Sequence, residues 1–319
     1  MDWEPDLLRA DVVDRKYAEA IVTAATACAE DTAGQTCFIC MDGAEEEGLV
    51  RGCACRGGNG FAHVSCLARQ AQVEVKQAEE SDVDDDEFHQ KWDRWSACRL
   101  CEQEYHGVVK CALGWACWKT YARRPEDNDL RLGAINQLGN GLSEVEHHED
   151  ALTVGEAELA MEQRRGAPES TILTVKSNIA STYQMLGRPE EALKLKQSVY
   201  SGLRMLHGDQ HKDTLKAASN CVSALVDLQR FEEARELLHT TTTTRQSFNI
   251  LCHRNLWVAS RILGEEHRLT LKMRWIYAEA LQGRGLYARR SPRGREYARG
   301  HRSNCATRIR SLTSTRGGY

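Results

Sequence analysis

The sequence predicts a mainly α-helical protein in which a small finger built around two metal ions precedes a solenoid of helical repeats. Three observations lead there. Eight Cys and His residues fall into four close pairs between positions 37 and 101. From about residue 130 onward, similar segments return at an offset of 42 residues (178 to 220, for example). Outside the Cys- and Gly-rich stretch, apolar residues keep helical spacing.

Composition narrows the function classes. The chain has 319 residues, 41% hydrophobic and 28% charged, enough for two or three domains with a sizeable core. A net charge of -4 gives no reason to expect nucleic acid or an anionic membrane as the main partner. The longest apolar stretch, Val108 to Trp118, is too short to cross a bilayer and is broken by Lys110, so it reads as a buried helix. Acids crowd the first residues, where a secretion signal needs basic and apolar regions, so a cytoplasmic location is expected. In that reducing compartment the 13 Cys point to metal rather than disulfides.

The elements follow in order. Residues 1–34 hold a first helix, with Leu7, Leu8, Val12, Val13, Tyr17, Ala20, Ile21 and Ala24 on one stripe and Gly34 as its stop. Residues 35–106 form the finger. Within it the acidic run Glu79 to Glu87 predicts a solvated, self-repelling loop. Residues 107–128 form a connecting helix. Residues 129–283 form the repeats, in which Asn178, Glu190 and Ala192 match Asn220, Glu232 and Ala234, and Asn136 begins an earlier unit. Such units bury their apolar faces only by stacking, with the small Ala where helices approach closely. The spacing from Gly208 to Gly264 is 56, so 56 − 42 = 14 extra residues interrupt the array at about 239–253, around a run of five Thr. Residues 284–319 carry ten Arg and one acid and predict a disordered tail without the aromatic-basic interleaving of a nucleic-acid module.

The candidate metal ligands are Cys37, Cys40, Cys53, Cys55, His63, Cys66, Cys98 and Cys101. Zinc takes four soft or borderline ligands tetrahedrally, and a Cys-x-x-Cys turn puts two sulfurs on one ion, so eight ligands in four pairs make two sites. Cys28, Cys111, Cys117, Cys221, Cys252 and Cys305 lack paired spacing and read as small buried hydrophobes. Trp92, Trp95, Trp115 and Trp118 are expected to pack the finger against the repeats. No Ser-His-Asp set, nucleotide loop or HExxH motif is present, which excludes the common enzyme classes.

At CFIC (37–40), CAC (53–55), HVSC (63–66) and CRLC (98–101) the sequence resembles the RING-CH (RING-variant) zinc fingers. The resemblance implies two structural Zn2+ in a cross-brace, Cys37, Cys40, His63 and Cys66 on one ion and Cys53, Cys55, Cys98 and Cys101 on the other. It also implies a ubiquitin ligase that does no covalent chemistry and positions a charged ubiquitin-conjugating enzyme; many members are membrane-anchored, and with no bilayer-length apolar run here a soluble ligase is expected. Ile39, just before the second ligand, occupies the family's contact position for that enzyme. The chain departs from active members at Gln70, where many carry Trp, at Arg99, where many carry Pro, and at Glu102, where a basic residue is usual. The alternative is a non-catalytic zinc-finger and repeat scaffold.

LGRPEEAL, LQRFEEAR, LHGDQHKDTL and LGEEHRLTL resemble tetratricopeptide repeats of the kinesin-light-chain type. That resemblance implies a protein or peptide partner, with Asn136, Asn178 and Asn220 at the register that lines a concave groove. The repeats would then recruit the substrate.

Overall fold

The computed structural model describes residues 5–237 apart from positions 82, 231 and 235. The interruption expected at 239–253, the repeat expected at 254–281 and the tail 284–319 lie outside the described residues. The chain divides into two compact units, Met1–Gly202 and Leu203–Tyr319. No helix among the described residues is long and apolar enough to cross a membrane.

A 3₁₀ turn at Asp6–Leu8 leads into α1, Ala10–Thr32. The chain leaves α1 through Gly34, whose φ of +72° is the left-handed stop that the sequence predicts. Irregular backbone then runs to α2, Val64–Glu80. Its β content is the single antiparallel bridge Val50–Ala62, and a second bridge, Ala97–Glu104, comes later.

The acidic run departs from expectation. Its first residues finish α2, and its last ones open α3, Asp85–Trp92. Asp84 is the N-cap, its carboxylate accepting from the Glu87 N–H at 2.9 Å. Asp85, Asp86 and Glu87 fill the first turn, where the helix dipole favours negative charge, so carboxylates that would repel along an extended chain start a helix here. A 3₁₀ turn at Asp93–Trp95 follows.

Helix α4, Gly107–Tyr121, contains the apolar stretch read as a buried helix, and ten of its residues are buried. The repeats supply α5 (Asp129–Glu144), α6 (His148–Arg164), α7 (Glu169–Met185), α8 (Pro189–His207) and α9 (Lys212–Asp227). The turns within successive hairpins are the same structure. The N–H of His147, Arg188 and Arg230 donates to the carbonyl of Leu142, Tyr183 and Leu225, each five residues earlier. The residue before each donor, Glu146, Gly187 or Gln229, has a φ near +60°. This is the Schellman arrangement, and only the second copy uses the expected glycine. Ala151 and Ala192 are buried at the start of the second helix of their hairpins, as the motif predicts.

In the first unit the core has two parts that meet at α4. Val109, Ala112 and Leu113 join Cys37, Leu49, Phe61, Leu67, Cys98 and Tyr105 on the finger side. Cys111, Trp115, Ala116, Trp118 and Tyr121 join α1, α2, α5 and α6 through residues such as Val13, Val75, Leu138, Leu142 and Met161. The Trp expectation holds: Trp95 and Trp118 are fully buried, and Trp92 and Trp95 pack on the Tyr121 ring at 5.6 and 5.9 Å between centroids. Burial pushes the Cys111 thiol up to about 11 and Cys117 well above the ordinary range, so both act as neutral apolar groups. Further along, α6 packs on α7 through Leu152, Val175 and Ile179.

Helices α4 and α5 touch backbone to backbone. A Cβ on Gly114 would lie 2.9 Å from the Gln137 carbonyl oxygen, and one on Gly141 would lie 2.9 Å from the Cys111 Cα. Backbone cannot swing aside as a side chain does. Gly114→Val is therefore expected to lower the unfolding free energy by about 1–3 kcal/mol or more, the usual cost of overpacking, measured by urea denaturation of the full chain.

Candidate metal centre

The finger brings the eight predicted ligands together as two sets. Cys37, Cys40, His63 and Cys66 form one, and Cys53, Cys55, Cys98 and Cys101 the other, with all ligand atoms of a set within 4.8 Å of one another. This is the interleaved pairing that the family resemblance implied. Every described cysteine is a free thiol. The Cys55 and Cys98 sulfurs are 3.8 Å apart, far beyond the disulfide length of about 2.05 Å. Zinc held tetrahedrally at about 2.3 Å from sulfur and about 2.0–2.1 Å from nitrogen sets S···S near 3.8 Å and S···N near 3.6 Å. His63 Nδ1 lies 3.4 Å from the Cys40 sulfur and 3.6 Å from the Cys66 sulfur. The donor set and its spacing fit two zinc ions.

Local backbone explains how the ligands converge. The two Cys-x-x-Cys turns are copies of one structure. In the first, Met41 N–H donates to the Cys37 carbonyl and Cys37 N–H to the Asp42 carbonyl; in the second, Glu102 and Gln103 play the same parts for Cys98. The residue after the second Cys is left-handed in both, with φ of 68° at Met41 and 56° at Glu102. Such values cost a non-glycine residue energy, which the surrounding hydrogen bonds and the metal offset. Ile39 N–H points at the Cys37 sulfur at 3.4 Å, a contact that favours thiolate.

His63 sits at the N-cap of α2, and Cys66 lies in its first turn. His63 Nε2 donates to the Gly43 carbonyl at 2.8 Å, which leaves the Nδ1 lone pair for the metal. The Glu47 carboxylate accepts from Ser65 N–H at 2.9 Å and so caps the same helix. Gly60 closes over the second set, because a Cβ there would lie 2.5 Å from the Cys55 Cβ, and its φ is +85°. Tyr105 is buried beside Cys98 and Cys53, and burial together with those thiols pushes its hydroxyl far up, so it stays neutral.

Gly43, Glu47 and Gly60 escape the sequence reading. Their roles depend on contacts up to 20 residues away along the chain (43 to 63) and leave no local pattern beyond a Gly-rich composition. Two further histidines beside the ligands make local contacts of their own. His106 precedes the first residue of α4 as its N-cap, and the His89 ring lies against the Asp85 carbonyl one turn back in α3.

The thiols of the two sets differ in how readily they ionise. Burial and the neighbouring thiols push Cys66 up to about 12 and Cys55 up to about 11, and burial drives Cys53 higher still. One thiol in each set is poised to ionise. Burial opposes ionisation at Cys37, but the N–H groups of Cys40, His63 and Ile39 outweigh it and hold the thiol at about 7. Burial likewise opposes ionisation at Cys101, and the Gln103 N–H with the neighbouring thiols brings it to about 7. Three thiolates in the first set or four in the second coexist in such a space only around a metal, and its capture releases protons.

Metal analysis of the purified full chain is expected to give two equivalents of zinc. Cys53→Ser should lose one equivalent or the folded finger, while Cys221→Ser should keep both. Metal-bound thiolates lie below the ordinary thiol value near 8.5, so the stabilisation they bring is present at high pH and lost as pH falls. Cys37 and Cys101 regain protons in the metal-free fold near 7, so zinc capture should weaken as pH drops through that value. A chelator titration followed from pH 8 to pH 5 measures this, and capture independent of pH would contradict thiolate ligation.

Two segments of the chain match known families. Residues 37–80 match the RING-variant domain family, and residues 171–247 match a tetratricopeptide repeat family. The first match ends before Cys98 and Cys101, which follow α3 and the turn after it. No curated protein matches the chain. Among solved structures, BtubC (BKLC) from P. vanneervenii is 14% identical with a TM-score of 0.42, over 80% of this chain and 91% of that one. A Podosopora anserina protein of nearly identical kinesin-light-chain TPR-like repeats is 16% identical with a TM-score of 0.40, over 78% of this chain and 98% of that one. The helical-repeat assignment rests on the family match and the recurrent turns rather than on these scores. The chain thus carries a RING-variant domain whose two Cys/His sets fit two zinc ions, together with tetratricopeptide repeats that imply protein partners.

Proposed function

We propose that the protein is a soluble, cytoplasmic ubiquitin ligase. The finger positions a ubiquitin-conjugating enzyme, and the repeats recruit the substrate. The observation that carries this reading is the pair of complete Cys/His sets on a segment that matches the RING-variant family, in a chain with protein-binding repeats. Such a finger supplies no nucleophile, acid or base; its contribution is orientation of a reactive thioester toward a lysine. Ile39 is half-buried on the edge of the finger core and serves as the contact for the conjugating enzyme. Met41 and Leu100 stand exposed on the two Cys-x-x-Cys turns and enlarge the apolar surface available to a partner.

In the repeats, the Asn178 side chain is exposed on α7 and is the leading partner contact. Asn136 is half-buried and its amide donates to Glu158 at 3.2 Å, within its own hairpin, so it offers a partner less. Asn220 is half-buried on α9.

Two observations favour the second reading, a non-catalytic scaffold. Arg99, in place of a proline, is held at 3.5 Å from Glu74 of α2. Glu102 presents a carboxylate where active fingers present a cation.

Ubiquitin chain formation by the full chain with a panel of conjugating enzymes decides between them. With a working pair, Ile39→Ala is expected to cut the rate at least tenfold while zinc content stays at two. Loss of zinc in that variant would make Ile39 a core residue, and no activity with any conjugating enzyme would leave the scaffold reading. Asn178→Ala is expected to weaken substrate capture without changing the transfer of ubiquitin to free lysine.

A further inference from the structure

We propose that the two-metal finger and the first helical hairpin, α5 with α6, form one thermodynamic unit, so that metal loss in the finger loosens the hairpin and disturbance of the hairpin speeds metal loss. The proposal makes no use of ligase activity. It rests on the double burial of α4, which has a wall on both sides.

On one side, Val109, Ala112 and Leu113 are covered by Phe61, Leu67 and Tyr105 of the finger. A Cβ on Gly52 would lie 2.6 Å from the Val109 side chain, and His106 N–H donates to the Gly52 carbonyl at 2.8 Å. Apart from α2, which carries Leu67, the covering segments are irregular and contain two single β-bridges, so without metal little backbone pairing retains them. On the other side, Gly114 and Gly141 let α4 and α5 meet backbone to backbone, which leaves no soft side chain to absorb a shift.

Polar contacts tie the same elements at both ends of α4. At its start, Gly107 N–H donates to the Glu144 carboxylate of α5 at 3.2 Å. Beyond its end, Arg124 makes a two-pronged pair with Glu79 of α2 at 2.6 and 2.8 Å, and its carbonyl accepts from Arg131 of α5 at 2.9 Å. If the finger segments leave α4, the helix exposes an apolar face it cannot turn inward, and α5 loses the surface on which Leu138 and Leu142 rest. Coupling between two sites is reciprocal, so the hairpin must in turn set how long the metal stays.

Amide hydrogen exchange of the full chain with and without a strong zinc chelator tests this. On removal of both metals, amides of α5 and α6 are expected to exchange at least tenfold faster, together with those of residues 37–101. Helix α9 in the second unit should keep its rates. Hairpin protection that survives complete metal loss overturns the proposal, and equal loss in α9 overturns the boundary it draws.

The reverse direction is read as zinc release to a chromophoric chelator. Gly141→Ala, or Glu144→Ala should the first variant not fold, is expected to release zinc at least threefold faster than the parent chain at equal helix content. An unchanged release rate overturns the reciprocal half of the proposal.

Discussion

Helix α4 buries ten of its fifteen residues, and the first unit is arranged around that constraint. A helix so largely apolar must be walled on most of its sides. Here the finger supplies one wall and α1, α2 and the first hairpin supply the rest. Each fully buried large side chain along it is worth about 1.5–3 kcal/mol relative to exposure, so neither wall alone recovers the whole contribution. The polar contacts at its two ends set the angle at which the walls meet, whereas apolar burial decides that they meet at all.

The finger obtains its shape by other means. With single bridges in place of a sheet, its backbone relies on three devices. These are the repeated left-handed turns at Met41 and Glu102, the helix that places His63 and Cys66, and carbonyl and carboxylate groups aimed at particular N–H donors. All three orient the ligands toward the two centres. The displaced thiol pKa values are the electrostatic counterpart, since burial raises three of them while backbone N–H groups lower one in each set. A site so organised selects a soft, tetrahedral dication by geometry and by charge together.

Much of this was legible in the sequence because it is written in local spacing. The ligand pairs, the apolar stretch of α4 and the first helix depend on residues within a few turns of one another, and the repeats show themselves by recurrence at an offset of 42. The partition of ligands into two sets came only through resemblance to a family, because spacing alone does not say which pairs share an ion. The acidic run was misread because net charge favours a loop, whereas carboxylates placed in a first turn behind an Asp cap favour a helix. The Schellman turns at Glu146 and Gln229 lacked the glycine that signals them. Gly60, Gly114 and Gly141 carry no pattern at all, because each answers to a neighbour in space. Asn136 shows the limit of register arguments: the position was read from the repeat, but its partner, Glu158, lies 22 residues away on the next helix.

The interleaving of the two ligand sets has a consequence for the newly made chain. Ligands emerge from the ribosome in the order 37, 40, 53, 55, 63, 66, 98, 101, so the second set begins before the first is complete. When residue 55 has emerged, four of the ligand thiols are available, two from each set. A zinc ion captured at that moment by Cys37, Cys40, Cys53 and Cys55 would hold a wrong but chemically satisfied tetrahedron. The correct sets need His63 and Cys66 on the start of α2, and then Cys98 and Cys101 after α2 and α3. The native pairing is therefore complete only once the chain through Cys101 is available.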